Sequence, residues 1–379
     1  APSVRKAALI GLKAWETPIQ TDPVNGHFRP LATEGEETDR SLTQLGETLG
    51  PDLREFLNQP HGSELITLGM ELATATGVQL DPATLIAQVD NAALGSTLRI
   101  AVLDSLVRSK AEGVNGIVSN LLKNEDRGIR AAAMTHGFAL DLDGISGLAK
   151  EAIQKDELVV ARAAMEGLAK VEAPTIEALW KNRESELRRG LWLDAYLLLS
   201  AASHPEAAAY AAASPSHVFD LSLQGGDPAA GEVVFKNQGA CLQCHTVGSE
   251  GGVQGPNLTE VAKRLSREKI LEAVTNPGAE ITEGYGMTTV SLKSGDSVVG
   301  RLSTQADDHV IVVGLDNQPT RLNRADIKEM APPISAMPPM AMALPPKDLR
   351  NLIAFLAVQD GKVRKKNDSS HGDDEAIAK

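Results

Sequence analysis

Cysteine is the scarcest chemically informative residue in this chain, with two among 379 residues. Two cysteines cannot build a disulfide framework, and no second pair is present to complete a four-ligand zinc site. Aromatic residues make up only 3% of the chain, which together with abundant alanine favours small-residue helix packing over a β-sandwich core. Long apolar runs are also missing, because the longest, at residues 191–202, is too short and interrupted to span a bilayer.

The sequence also lacks the common patterns of catalysis and of nucleic-acid binding. It has no Ser/His/Asp order, no glycine-rich phosphate loop and no paired-carboxylate pattern. A net charge of −13 argues against nucleic acid, because a polyanion requires a basic face. Most of this charge lies in residues 1–225, which indicates a solvated helical surface or, alternatively, steering of a basic partner. The chain begins Ala-Pro-Ser without Met, so we expect a processed product or a fragment.

Both cysteines lie in one short segment, Cys-Leu-Gln-Cys-His at residues 241–245. Two thiols at this spacing match the two vinyl groups of a haem, and an imidazole directly after them ligates the iron. A thioredoxin-like redox pair is the alternative, but it does not need the histidine, and no βαβ pattern precedes the segment. The segment predicts one covalent haem c held by Cys241 and Cys244, with His245 as an iron ligand. This kind of attachment indicates an extracytoplasmic location, for example the periplasm.

The first part of the chain repeats a short helical motif centred on an arginine. The motif occurs at Arg5, Arg99, Arg130 and Arg162, and the last three are separated by 31 and 32 residues. A period of about thirty residues with two helices per unit is typical of an α-solenoid and resembles HEAT repeats. We therefore predict a HEAT-like α-helical repeat domain at residues 1–213.

A second domain is predicted after a linker at residues 214–227. Asp227 is a good helix N-cap and Pro228 a good first helical residue, so a helix should lead into the cysteine segment. Further helices are expected at residues 259–264, 266–275 and 346–357. β-Branched and alternating residues indicate a small antiparallel β insert at about 286–328. This second domain, which contains the haem-attachment segment typical of c-type cytochromes, should span residues 228–360. Residues 361–379 should be a disordered tail.

An electron carrier needs a second iron ligand besides His245, and a His/Met pair raises the reduction potential relative to His/His. Four methionines precede the last predicted helix and are candidates for this ligand: Met330, Met337, Met340 and Met342. A methionine at these positions can equally be a gap-filling core residue.

Residues 226–360 resemble the haem-binding domain family of planctomycetes and verrucomicrobia, a divergent c-type cytochrome domain. The resemblance rests on Gly231 and Phe235, the 241–245 segment, and the motifs at 255–258, 326–327, 335–338 and 349–356. It implies a class I-like cytochrome c fold with Met337, in the Ser-x-Met-Pro motif, as the distal ligand. It also implies that the Pro256 carbonyl accepts a hydrogen bond from the proximal imidazole, and that Leu258 contributes to the haem pocket.

The sequence departs from the family after Pro338, where Pro-Met-Ala-Met replaces the usual Glu-Gly, so Met340 and Met342 remain alternative ligands. A second resemblance lies near the N-terminus. Trp15, Pro18, Asp22 and Gly26 are similar to the segment joining a propeller dehydrogenase to HEAT repeats in multidomain proteins with this cytochrome. No propeller sequence is present here.

The predicted fold is mainly α: a HEAT-like α-solenoid followed by a class I-like cytochrome c domain with a small antiparallel β insert. The predicted function is electron transfer rather than catalysis. Its partners would be redox proteins, namely a dehydrogenase donor and a downstream cytochrome or oxidase, with no nucleic acid and no transmembrane segment. Two alternatives remain: a haem enzyme with an open sixth position that reacts with peroxide or oxygen, and a haem-based sensor or interaction scaffold.

Overall fold

The structure is a computed structural model that describes residues 2–15, 41–59, 61–92, 94–340 and 343–362. The chain divides into two compact units, Ala1–Lys170 and Val171–Lys379, which are described separately. No helix among the described residues is both long enough and apolar enough to cross a membrane. Three predictions concern residues outside the described ranges: the segment around Pro18, Asp22 and Gly26, the candidate ligand Met342, and the tail from residue 363 onward.

The described residues of the first unit form helices joined by short loops and turns. Its helices are α1 (Pro2–Lys13), α2 (Leu42–Asn58), α3 (Ser63–Thr76), α4 (Pro82–Val89), α5 (Ser96–Arg108), α6 (Val114–Leu121), α7 (Arg127–Ala139), α8 (Ile145–Lys155) and α9 (Leu158–Val171). Helices adjacent in sequence pack as the pairs α2 with α3, α4 with α5, and α6 with α7. The second helices of these pairs also pack in series, α3 against α5 and α5 against α7.

The repeated arginines lie near the starts of corresponding helices, Arg99 in α5, Arg130 in α7 and Arg162 in α9. Arg99 is buried and its Nε donates to the Val89 carbonyl at 2.8 Å. Arg130 donates through Nη2 to Asp156 at 2.7 Å, and that contact raises the pKa of Arg130. At Arg99 and Arg130, the motif that repeats in the sequence therefore supplies polar contacts near the beginnings of α5 and α7.

The second unit begins with helices and continues into a mixed region. Its helices are α10 (Ala173–Lys181), α11 (Arg183–Glu186), α12 (Trp192–Ala201), α13 (Pro205–Ala213), α14 (Pro215–Asp220), α15 (Pro228–Lys236), α16 (Val261–Arg264), α17 (Arg267–Thr275) and α18 (Pro346–Leu356). Its strands are β1 (Thr246–Val247), β2 (Glu250–Gly251), β3 (Met287–Leu292), β4 (Ser297–Gln305), β5 (His309–Val313), β6 (Pro319–Asn323) and β7 (Ile327–Met330). The mainly helical character and the antiparallel strands were both predicted from the sequence and are confirmed.

Helices α15 and α18 form the centre of the second unit. As predicted, Asp227 caps α15, accepting a hydrogen bond from the Ala229 amide at 2.8 Å. The two helices approach closely at Gly231, where a Cβ would lie 1.9 Å from the Asn351 carbonyl oxygen. Phe235 and Phe355 pack one turn further on, with ring centroids 5.4 Å apart. A side chain at position 231 would therefore force the helices apart.

Strands β3 to β7 form one antiparallel sheet in the order β6-β5-β4-β3-β7. Its edge strands β6 and β7 are joined by only the three residues Arg324–Asp326. A flat sheet of five strands would separate its edges by about 19 Å, whereas the four Cα steps between Asn323 and Ile327 reach at most about 15 Å. The sheet must therefore curl, and its inner face carries an apolar cluster of Val290, Leu302, Val310, Val312 and Leu322.

The observed division of the chain differs from the predicted domain boundaries. The predicted linker at 214–227 contains helix α14 and a 3₁₀ turn at Leu221–Leu223. Leu221 is buried, and this turn packs against α17 and α18. Residues 171–213, assigned from sequence to the repeats, lie in the same unit as α18. Asp194 in α12 forms a buried ion pair with Arg350 in α18, with Nη1 to Oδ2 at 2.6 Å, a contact that sequence spacing does not reveal.

Candidate functional site

The cysteine segment forms one tight turn directly after α15. Ala240 has a left-handed backbone with φ of 49°, which turns the chain into a 3₁₀ helix at Cys241–Gln243. The amides of Cys244 and His245 both donate to the Cys241 carbonyl, at 3.1 and 2.9 Å. The three predicted site residues are therefore fixed relative to each other by the backbone.

The two cysteine side chains lie in different environments. Cys241 is half-buried and packs against the core around α15 and α18, whereas Cys244 is exposed. Burial raises the pKa of the Cys241 thiol to about 11. Cys241 and Cys244 are not joined to each other in a disulfide.

His245 is held by one hydrogen bond in a defined direction. Its Nδ1 lies 2.8 Å from the Pro256 carbonyl oxygen. A carbonyl oxygen can only accept, so Nδ1 carries a proton, and in the neutral imidazole Nε2 then keeps the lone pair that binds a metal. The structure thus contains the Pro256 contact that the family resemblance implies.

A loop after the cysteine segment folds back over His245. The Gly255 amide donates to the Cys244 carbonyl and the Leu258 amide to the Thr246 carbonyl, each at 2.8 Å. A Cβ at Gly255 would lie 2.6 Å from Cε1 and 2.7 Å from Nδ1 of the imidazole. Only glycine therefore allows the backbone to lie this close to the ring. Leu258 is half-buried and packs against the same core as Cys241.

The methionine candidates separate into two groups. Met337 and Met340 both pack against the α15–α18 core, as Cys241 and Leu258 do. Met330 instead packs against the apolar cluster of the sheet. The amide of Met337 donates to the Ser335 hydroxyl at 3.2 Å, which fixes the turn before Pro338. Among the described methionines, these contacts leave Met337 and Met340 as the candidates for the distal ligand.

The side chains at this site fit a covalently attached haem. They include two thiols separated by two residues, an imidazole with a free Nε2 lone pair, and thioethers in the same apolar core. They do not fit the zinc alternative. Within the described ranges no three His, Cys, Asp or Glu side chains come close enough together to hold a metal ion.

Comparison with known proteins supports this chemistry. Residues 228–295 match the family model for Cytochrome c, which supports a c-type cytochrome haem-binding domain with covalently bound haem c and a part in electron transfer. The match covers α15, the cysteine segment, the Pro256 loop and β3, and it ends before Met337 and α18. A search of curated proteins found no match.

Two elements around the site were missed by sequence reasoning. The first is the Asp194–Arg350 pair, whose only signal in the sequence is a charged residue between the apolar residues Leu349 and Leu352. The second is the buried hydroxyl of Thr288 in β3, which donates to the Ala331 carbonyl at 2.6 Å. Both contacts join residues far apart in the chain, so no local pattern predicts them.

Proposed function

We propose that this protein carries single electrons through one haem c, attached at Cys241 and Cys244 and ligated by His245 and Met337. The proposal rests mainly on the hydrogen bond from His245 Nδ1 to the Pro256 carbonyl. This contact fixes the orientation of Nε2 in an imidazole that directly follows two thiols at haem-binding spacing. The matching family model supports the same chemistry.

The protein side chains have separate roles in this proposal. The bound haem iron supplies a one-electron ferric/ferrous couple. The thioether bonds of Cys241 and Cys244 fix the group to the chain, while Pro256 holds the His245 ring in one orientation. Met337 would provide a neutral sulfur ligand to the iron, which would favour the ferrous state and raise the reduction potential. Leu258 and the α15–α18 core exclude water from the site.

The helices of the first unit are proposed to be a HEAT-like solenoid that docks a redox partner. Sequential packing of helix pairs and the repeated placement of Arg99 and Arg130 support this architecture. The partner is proposed to be a dehydrogenase donor, with a downstream cytochrome or oxidase as acceptor. The proposed location is extracytoplasmic, such as the periplasm, where c-type cytochrome domains usually function.

The test is the absorption spectrum of the reduced protein with and without carbon monoxide. A His/Met haem should keep its spectrum, because the sixth position is occupied. Met337→Ala should open the haem to carbon monoxide and weaken the ferric sulfur-to-iron charge-transfer band. Met340→Ala is the matched control, since Met340 is also half-buried against the same core. If the unmodified protein binds carbon monoxide fully, an enzyme or sensor with an open sixth position replaces the electron carrier.

A further inference from the structure

The curled sheet holds the chain segment that leads into Met337. Beyond Met330 the backbone continues along β3, where the Ala331 amide donates to the Thr289 carbonyl at 3.0 Å. Met287 and Ile334 then exchange two backbone hydrogen bonds, at 2.8 and 2.9 Å. The last of these contacts lies three residues before Met337. The β insert is therefore connected directly to the proposed distal side of the haem.

Thr288 supplies a side-chain contact to the same segment. Its side chain is buried, with 3% exposure, and its hydroxyl donates to the Ala331 carbonyl at 2.6 Å. The next two residues, Pro332 and Pro333, have no amide hydrogen to donate to a neighbouring strand. The Thr288 hydroxyl therefore adds a hydrogen bond immediately before two residues whose backbone cannot donate one.

A second anchor lies on the other side of Met337. The Met340 carbonyl accepts from the amides of Ala343 and Leu344, at 3.0 and 3.2 Å. Leu344 is buried in the α15–α18 core. Between the two anchors, Pro338 and Pro339 have fixed φ angles, which reduces the number of conformations available to the loop. Met337 thus lies in a short, stiff segment that is fixed at both ends.

We propose that Thr288 is a positioning residue that keeps this segment closed and so keeps Met337 on the haem iron. The inference rests on the proposed His/Met ligation. A neutral thioether is an exchangeable ligand, so its apparent affinity for the iron is proportional to the fraction of time that the segment is closed. Loss of the Thr288 hydrogen bond should raise the open fraction without removing any haem ligand.

The experiment compares three variants of the full haem protein. Thr288→Val removes the hydroxyl and keeps the shape, whereas Thr288→Ser keeps the hydroxyl. Thr289→Val is the matched control, because Thr289 is the next residue of β3 and its side chain is exposed. Carbon monoxide binding to the ferrous protein reports opening of the segment. Amide hydrogen exchange of residues 331–340, followed by mass spectrometry, measures the same opening without reference to the haem.

The expected result is a roughly fivefold faster carbon monoxide reaction for Thr288→Val, as the loss of one buried hydrogen bond predicts. Hydrogen exchange should increase in residues 331–340 and stay unchanged in β4 and β5. Thr288→Ser and Thr289→Val should stay within about twofold of the unmodified protein, because neither loses the Thr288 hydroxyl.

Other outcomes overturn the inference. If Met337→Ala opens the haem while Thr288→Val leaves both measurements unchanged, the ligation proposal stands and only the role of Thr288 is wrong. If exchange increases throughout the sheet, Thr288 is a general stability residue instead of a positioning residue. If the unmodified protein already binds carbon monoxide fully, the ligation proposal and this inference both fail.

Discussion

The two sides of the proposed haem site are built in different ways. The proximal side, from Cys241 to Leu258, is held by hydrogen bonds within 17 residues of sequence, such as Cys244 to Gly255 and His245 to Pro256. The distal side depends on contacts between distant parts of the chain. Thr288 and Ala331 are 43 residues apart. Asp194 and Arg350, 156 residues apart, join α12 to α18, which belongs to the core against which both Cys241 and Met337 pack.

This difference indicates which half of the site tolerates change elsewhere in the protein. A locally closed turn keeps its geometry as long as its own residues are present. The loop that carries Met337 is held by the sheet of β3 to β7 and by the α15–α18 core, so we expect it to shift when the contacts to either one are weakened. We therefore expect the attachment of the haem to be robust, and the ligation by Met337 to be sensitive to substitutions far from the iron.

The largest expected effect is on attachment. Replacing both Cys241 and Cys244 by serine should abolish covalent haem completely, because a hydroxyl does not form the thioether bond. Haem staining after denaturing electrophoresis and acid-acetone extraction measure the attached fraction. Single replacements at Cys241 or Cys244 serve as controls and should retain haem through the remaining thioether. Extraction of haem from the unmodified protein would contradict the proposed chemistry.

The next largest effect is expected on the stability of the second unit, where residues 171–223 contact α18 through the Asp194–Arg350 ion pair. Asp194→Ala should lower the free energy of unfolding of the second unit by about 3–5 kcal/mol, because it leaves the buried charge of Arg350 unpaired. Urea unfolding measured by circular dichroism quantifies the loss. The matched control is the double variant Asp194→Leu with Arg350→Met, which removes both charges and should recover most of the stability.

A related comparison tests the boundary between the units. A fragment starting at residue 171 retains Asp194, whereas a fragment starting at residue 226 does not. The longer fragment should fold and accept haem with the stability of the full second unit, and the shorter one should be destabilised. Equal stability of the two fragments would show that the cytochrome domain begins at the sequence-predicted boundary and that α12 is dispensable.

The same contrast explains what the sequence could predict. The cysteine segment, the Asp227 cap and strands β3 to β5 follow from local spacing, a capping residue and β-branched runs, so they could be located in advance. The contact of Pro256 with His245 was expected only from the family resemblance. Three features could not be located in advance: the curl of the sheet, the hydrogen bond from Thr288 to Ala331, and the Asp194–Arg350 pair. Each depends on residues that are brought together only by folding. The predicted linker at 214–227 was interpreted from Ser, Pro and Gly content, whereas the buried Leu221 makes part of it a packed 3₁₀ turn.

A smaller effect is expected at the loop over the proximal imidazole. Gly255→Ala should destabilise the second unit by about 1–3 kcal/mol, because the added methyl would overlap the His245 ring. It should also shift the reduction potential, since the ring can no longer donate to Pro256 in the same geometry. Gly278→Ala is the control, because a methyl there meets no atom within 4 Å. If both variants have the same free energy of unfolding and the same reduction potential, the loop accommodates the methyl group at position 255 without a loss of stability, and the prediction is wrong.

The smallest expected effect compares the two thiols within the proximal turn, in protein produced without haem. The thiolate is the form that reacts with iodoacetamide, and burial raises the pKa of Cys241 to about 11. Cys241 should therefore react slowly at neutral pH and faster as the pH rises toward about 11, while the exposed Cys244 reacts first. Peptide mass spectrometry at a series of pH values gives the two rates, and a urea-unfolded sample, in which neither thiol is buried, is the control. Equal rates in the folded protein would mean that the turn opens freely before haem is attached, in which case the proximal side is no more rigid than the distal loop.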